Sequence, residues 1–110
     1  MSERKICSLE ELKCFVQEAK QKGECVVHAH GTFDLLHLGH VKHLKAGKAL
    51  GDKLAVTITG DAFVNKGPGR PVFGELQRAE MLGSLDCVDY VAINQTPDAV
   101  PVIEFIQPDI

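Results

Sequence analysis

No lysine or arginine occurs after Arg78, so the last stretch of the chain, from Ala79 onward, has no cationic side chain with which to meet an anion. No C-x-x-C pair exists among the four cysteines, Cys7, Cys14, Cys25 and Cys87. Their spacing suits neither a disulfide framework nor a zinc knuckle, which leaves reduced thiols in a cytoplasmic protein as the simplest expectation. No H-E-x-x-H sequence is present either. No apolar run approaches the ~20 residues of a membrane-spanning helix. The opening Met-Ser-Glu-Arg-Lys is followed by no apolar stretch, so no secretory signal is expected. Repeats, low-complexity tracts and long linkers are missing as well.

The composition is otherwise that of an ordinary globular domain: 110 residues, 45% hydrophobic and 25% charged, enough for one core. The formal net charge of −3 argues against a general nucleic-acid binder. Its distribution is uneven. Lys42, Lys45, Lys48, Lys53, Lys66, Arg70 and Arg78 face only Asp52, Asp61 and Glu75 in the middle of the chain. A basic middle in an acidic protein suits a small anionic ligand, although for any single lysine solvated surface is the better reading.

The hydrophobic periodicity predicts alternating elements. Residues 8–22 read as a helix opened by a Ser8/Glu11 capping box, with Leu9, Leu12, Val16 and Ala19 on one face and Gly23 ending it. Residues 25–30 read as a strand and 38–50 as a helix with Val41, Leu44 and Leu50 inward. Leu54 to Thr59 is a continuous run suited to a strand buried on both faces. A Gly/Pro loop over 60–73 leads to a helix at 74–85, with Leu76, Ala79, Leu82 and Leu85 on its inner stripe. A strand from Val88 to Ile93 and a helix at 98–106 follow, and Asp109-Ile110 would begin a fourth strand. This order predicts an α/β fold, a Rossmann-like three-layer sandwich with a parallel sheet. Residues 1–23 form an N-terminal helix and 24–110 the core of one domain, its last strand incomplete. A piece of a longer protein is the expectation.

All five histidines lie between residues 28 and 43. His28 and His30 share one face of the first strand. His37 and His40 straddle a helix start, at the carboxyl end of that strand, where ligands of such sheets bind. Gly39 costs ~1 kcal/mol inside a helix relative to alanine. In the first turn it would let a phosphate approach the amide N–H groups, which already favour an anion. His37 and His40 would add donors to the same place. Zinc ligation is a competing reading, since histidines at these spacings can bind metal. A structural role, satisfying backbone groups, suits His28 and His43 best.

At these residues the chain resembles a known family. Gly31-Thr32-Phe33-Asp34-Leu35-Leu36-His37-Leu38-Gly39-His40 is similar to the signature of the cytidylyltransferase-like nucleotidylyltransferases. The likeness continues through Leu50-Gly51-Asp52-Lys53-Leu54, Gly60-Asp61, Asn65-Lys66-Gly67-Pro68-Gly69-Arg70-Pro71-Val72, Gln77-Arg78-Ala79-Glu80-Met81-Leu82 and Val88-Asp89-Tyr90-Val91. These segments resemble most the adenylyltransferase domain of bacterial heptose-phosphate kinase/adenylyltransferases, with glycerol-3-phosphate cytidylyltransferase second.

The resemblance implies transfer of a nucleoside monophosphate from ATP or CTP, with Mg²⁺, to a sugar or polyol phosphate, releasing pyrophosphate. It implies catalytic roles for His37, His40, Lys66 and Arg78. Gly31, Thr32, Phe33, Asp34, Gly39, Asp61 and Arg70 join the histidines around the nucleotide, and Lys42 and Lys48 bind phosphate. A turn-stabilising role is equally open for Asp34. Asp61 either touches ribose or caps the loop. No metal is held by protein ligands alone. Partners are small molecules, neither nucleic acid nor membrane; a homodimer is compatible. A non-catalytic nucleotide-binding module and a His-rich metal-binding protein are the readings from other classes. The family continues past its fourth strand with a Lys-Gly-x-Asp-Tyr-like segment and a Ser/Thr-rich helix start that hold the far phosphates. Neither lies within these residues, so weak nucleotide binding and little turnover are expected of the chain by itself.

Overall fold

The computed structural model describes residues 5–33, 36–64, 73–96, 99–108 and 110. Helix α1 (Leu9–Gln21) opens on the anticipated reciprocal cap. The Glu11 amide donates to Ser8 Oγ at 3.1 Å, and the Ser8 amide donates to Glu11 Oε1 at 2.9 Å. Strand β1 (Val26–Gly31), helix α2 (Leu38–Lys48) and strand β2 (Lys53–Thr59) follow. A short 3-10 turn at Asp61–Phe63 leaves β2. Helix α3 (Glu75–Gly83), strand β3 (Tyr90–Asn94) and helix α4 (Val100–Ile106) complete the order.

The three strands form one parallel sheet in the order β1-β2-β3, with His30 beside Thr57 and Thr59 beside Asn94. Residues Lys5 to Cys7 run along the outer edge of β3: the Val91 amide donates to Lys5 O and the Cys7 amide to Val91 O, both at 2.9 Å. On the outer edge of β1 the Ile110 amide donates to Val26 O at 3.2 Å. No fourth strand forms among the described residues, so the expected strand is represented there by this bond alone.

Two apolar layers flank the sheet, because side chains alternate along each strand. On one face Val27, Leu54, Val56, Ile58 and Val91 pack under Leu44 of α2 and Ala79 and Leu82 of α3. On the other, Val26, Ala55 and Ala92 pack under Leu12, Val16 and Ala19 of α1 and Val102 of α4. Each fully buried leucine contributes about 2 kcal/mol. The fold is thus the α/β, Rossmann-like layering that alternation predicted.

Two expected core residues point outward. Leu50 lies beyond the end of α2 and is 64% exposed. Leu76 is 65% exposed. It sits two residues before Arg78, about 200° around the helix axis, and Arg78 occupies the inner side of that first turn. At the lower end of the sheet, Lys48 Nζ meets Asp89 Oδ2 at 2.6 Å, and the same oxygen accepts the Leu54 amide at 2.8 Å.

Candidate active site

The loop that leaves β1 turns sharply. Phe33 has φ 51°, the left-handed region that a bulky residue adopts only under constraint. A Cβ on Gly31 would come within 2.9 Å of the Phe33 ring. Gly31 therefore lets the ring fold back, where it packs against the core and meets His40 edge-on at 5.3 Å between centroids.

His37 and His40 build the start of α2. His37 is the N-cap, in extended conformation. Its Nδ1 accepts the Gly39 amide at 3.0 Å, while its own amide donates to His40 Nδ1 at 3.2 Å. This is a capping box in which imidazoles replace the usual hydroxyl and carboxylate. The rings stack with centroids 3.9 Å apart. A nitrogen that accepts a hydrogen bond carries no proton, so each ring keeps its N–H at Nε2. Both rings are thereby fixed in one tautomer at a helix N-terminus.

Gly39 has a different reason from the expected one. A Cβ there would lie 2.8 Å from His37 Cε1. The glycine makes room for the histidine ring, and its amide is already spent on His37 Nδ1. The donors this helix start offers are side-chain donors.

Arg78 is likewise corrected. Its side chain is 0% exposed, which bars direct contact with a phosphate in this conformation. Nε donates to Phe73 O at 3.0 Å, and Nη1 donates to Thr32 O and Thr59 O at 2.8 Å each. Nη2 reaches Asp61 Oδ1 at 2.7 Å. Arg78 therefore ties together the loops leaving β1 and β2 and the approach to α3. Asp61 is the counter-charge of this clamp, and its amide donates to Glu75 Oε1 at 2.8 Å. Asp61 thus makes a loop-capping contact, with its side chain still 46% exposed.

Lys48 is not brought to the histidines. Its bond to Asp89 holds it at the amino ends of β2 and β3, opposite the strand ends that α2 begins from. Lys42 is exposed on α2, one turn past the cap, and His43 is exposed beside it. Asp34, Lys66 and Arg70 lie outside the described residues. Among the described residues no three His, Cys, Asp or Glu side chains gather to hold a metal, and no helix is long and apolar enough to cross a membrane.

One cluster escaped the sequence reading. Thr57 Oγ1 lies 2.7 Å from both His28 Nε2 and His30 Nδ1. Thr59 Oγ1 lies 3.5 Å from His30 Nε2. Burial, with His30 beside it, pushes the His28 ring down from the ordinary 6.5 to about 4. The signal was available: two histidines and two threonines, each pair spaced by two, on neighbouring parallel strands.

The comparisons with known proteins bear on this arrangement. The cytidylyltransferase-like family model matches residues 28–110, which include the capped histidine pair. The chain belongs to the cytidylyltransferase-like family. Bifunctional protein HldE of Geotalea uraniireducens is 42% identical over 99% of the chain, and that of Helicobacter acinonychis is 44% identical over 96%. The chain spans 23% of the length of each of these relatives. A crystal structure of a lipopolysaccharide core biosynthesis protein from Thermoplasma volcanium superposes with a TM-score of 0.72. It is 34% identical, and the match covers 79% of this chain and 71% of that one. The cytidylyltransferase-like assignment thus agrees with the expectation from the Gly31–His40 segment.

Proposed function

We propose that the chain binds a Mg²⁺·nucleoside triphosphate at the start of α2 and supports transfer of its nucleoside monophosphate to a sugar or polyol phosphate. The observation that carries this reading is the His37–His40 cap, which commits both Nδ1 atoms to backbone amides and leaves the proton of each ring on Nε2. Two imidazole N–H donors at a helix N-terminus suit an oligophosphate. They act without being consumed. An acceptor phosphate oxygen attacks the α-phosphorus, the new P–O bond forms as the α–β bridging bond breaks, and pyrophosphate departs with the electron pair. The histidine donors stabilise the charge that develops on the non-bridging oxygens, the usual source of catalysis in such transfers.

The Gly31-Thr32-Phe33 backbone borders the nucleotide in this reading. Arg78 and Asp61 fix that border from behind. Asp34, Lys66, Arg70 and Lys42 keep the roles the family likeness gives them, as part of the proposal. Mg²⁺ travels with the triphosphate as part of the substrate. ATP is favoured over CTP because the segments Asn65–Val72, Gln77–Leu82 and Val88–Val91 resemble most the adenylyltransferase domain of heptose-phosphate kinase/adenylyltransferases. A heptose 1-phosphate-like acceptor follows from the same resemblance.

Pyrophosphate release tests the reading. With Mg²⁺ and ATP or CTP, release should require a sugar or polyol phosphate, proceed slowly, and vanish in His40→Asn. Triphosphate binding with no release from any acceptor would leave a nucleotide-binding module in place of a transferase.

A further inference from the structure

The carboxyl ends of β2 and β3 open beside the start of α3 into a cavity of about 620 Å³. Small-molecule sites occupy roughly 300–1,000 Å³, and parallel sheets bind their ligands at these strand ends. Asp61 and Ala62 line the cavity from the β2 side and Gln95 from the β3 side. Gly74, Glu75 and Gln77 close it from the start of α3. The His37–His40 cap takes no part in it.

Glu75 braces the wall. Its Oε1 accepts the Asp61 amide at 2.8 Å, and its Oε2 accepts Gln95 Nε2 at 3.1 Å. A Cβ on Gly60 would collide with the Gln95 amide, so that glycine lets Gln95 fold across the strand end. With Nε2 engaged, Gln95 keeps Oε1 as an acceptor. Asp61 gives Oδ1 to Arg78 at 2.7 Å, while its Oδ2 bonds to no described residue. The Gln77 amide, a donor and an acceptor, bonds to none either. Charge decides what such a wall takes. Arg78 balances Asp61 from beneath, and the Glu75 carboxylate outweighs the roughly half positive charge of a helix start. No lysine, arginine or histidine lines the cavity among the described residues. A phosphate finds no cation there, whereas hydroxyls find acceptors for their protons and an amide for their lone pairs. Arg78 also fixes the cavity's place: it bonds Asp61 and Thr32 O together, so the wall adjoins the Gly31-Thr32-Phe33 border through one guanidinium.

We propose that this cavity receives the hydroxylated part of the acceptor, with Asp61 Oδ2, Gln95 Oε1 and the Gln77 amide bonding its hydroxyls. The inference rests on the nucleotidyl-transfer reading and adds what that reading leaves open: which residues discriminate a polyhydroxylated acceptor from other phosphates. Glu75, whose oxygens hold Asp61 and Gln95 in place, is a positioning residue. The wall turns the acceptor's phosphate away, toward the start of α2, where the α-phosphorus is held.

Side-chain nitrogen NMR of the chain reads the two places separately. Glucose 1-phosphate and glycerol 3-phosphate should shift the amide signals of Gln77 and Gln95. Inorganic phosphate and Mg²⁺·ATP should shift the ring signals of His37 and His40 and leave both glutamines alone. Gln95→Met, at an exposed position, should weaken glucose 1-phosphate binding roughly fivefold to tenfold, the loss of about one ordered hydrogen bond. Gly74 has φ −65°, open to any residue, and a Cβ there meets only Asp61 Oδ2, at 3.7 Å. Gly74→Val should therefore fold, narrow the cavity and weaken glucose 1-phosphate similarly. In both variants Mg²⁺·ATP should still move His37 and His40. Gln77 and Gln95 signals that neither sugar phosphate moves, the same signals moved by Mg²⁺ alone, or a Gly74→Val protein that binds glucose 1-phosphate as the parent does, overturns the proposal. Failure of Mg²⁺·ATP to move His37 and His40 in the parent overturns the nucleotide reading instead, and the two failures are separately visible.

Discussion

His37 and His40 cap each other: one ring accepts the Gly39 amide, and the other accepts the His37 amide, with the rings stacked 3.9 Å apart. A single pair of side chains thus both begins α2 and sets its own protonation pattern. Substitutions can separate the two jobs. Asparagine is among the best N-cap residues, so His37→Asn should keep the helix start while removing the Nε2 donor. Its melting temperature should stay within a few degrees of the parent, against a loss on the order of 1 kcal/mol for His37→Ala. Nucleotide affinity should fall in both. Thermal denaturation with and without Mg²⁺·ATP checks this pair.

Gly39→Ala makes a sharper separation. Alanine gains up to about 1 kcal/mol of helix propensity, but its Cβ pushes the His37 ring off the cap, which costs a similar amount. Stability should change little while triphosphate binding drops. Equilibrium unfolding in urea and a nucleotide titration, run on the same protein, decide it.

The Arg78 clamp is a stability element. Arg78→Met leaves the carbonyls of Phe73, Thr32 and Thr59 and the Asp61 carboxylate without their donor. The loss should be on the order of 3–5 kcal/mol in urea unfolding. Lys48→Met, by contrast, removes a partly exposed ion pair far from the histidines. It should cost under about 1 kcal/mol and leave nucleotide affinity as it was.

How much of this was legible in the sequence follows from which forces are local. The α1 cap was readable because Ser8 and Glu11 reach only their own turn. Strand β2 was readable because Leu54 to Thr59 is a continuous run suited to burial on both faces of a sheet. Arg78 was not: its letter looks like a phosphate ligand, and only the meeting of the Thr32 and Thr59 carbonyls makes it a buried clamp. The same contact turns Leu76 outward. Gly39 was found for the wrong reason, because the ring that needs its space belongs to a neighbour. His28 was expected to be structural, and its partner Thr57 was not legible because strand register is a tertiary fact.

His28 also gives a pH dependence. Its ring takes a proton at about 4 in the folded chain and at the ordinary 6.5 in the unfolded one. Between these values the unfolded chain binds the extra proton, so stability is full above pH 6.5 and is lost as the pH falls toward 4. The loss should be on the order of 3 kcal/mol. His28→Leu should show a shallower decline over that window in urea midpoints measured at stepped pH.

The central claim is that the capped histidine pair is a triphosphate site, and ligand-induced stabilisation tests it most directly. Mg²⁺·ATP, and less strongly Mg²⁺·CTP, should raise the melting temperature of the parent chain, AMP should not, and the rise should disappear in a His37→Asn/His40→Asn double variant that remains folded. A chain that no nucleoside triphosphate stabilises, or a stabilisation that survives in the double variant, would contradict the account.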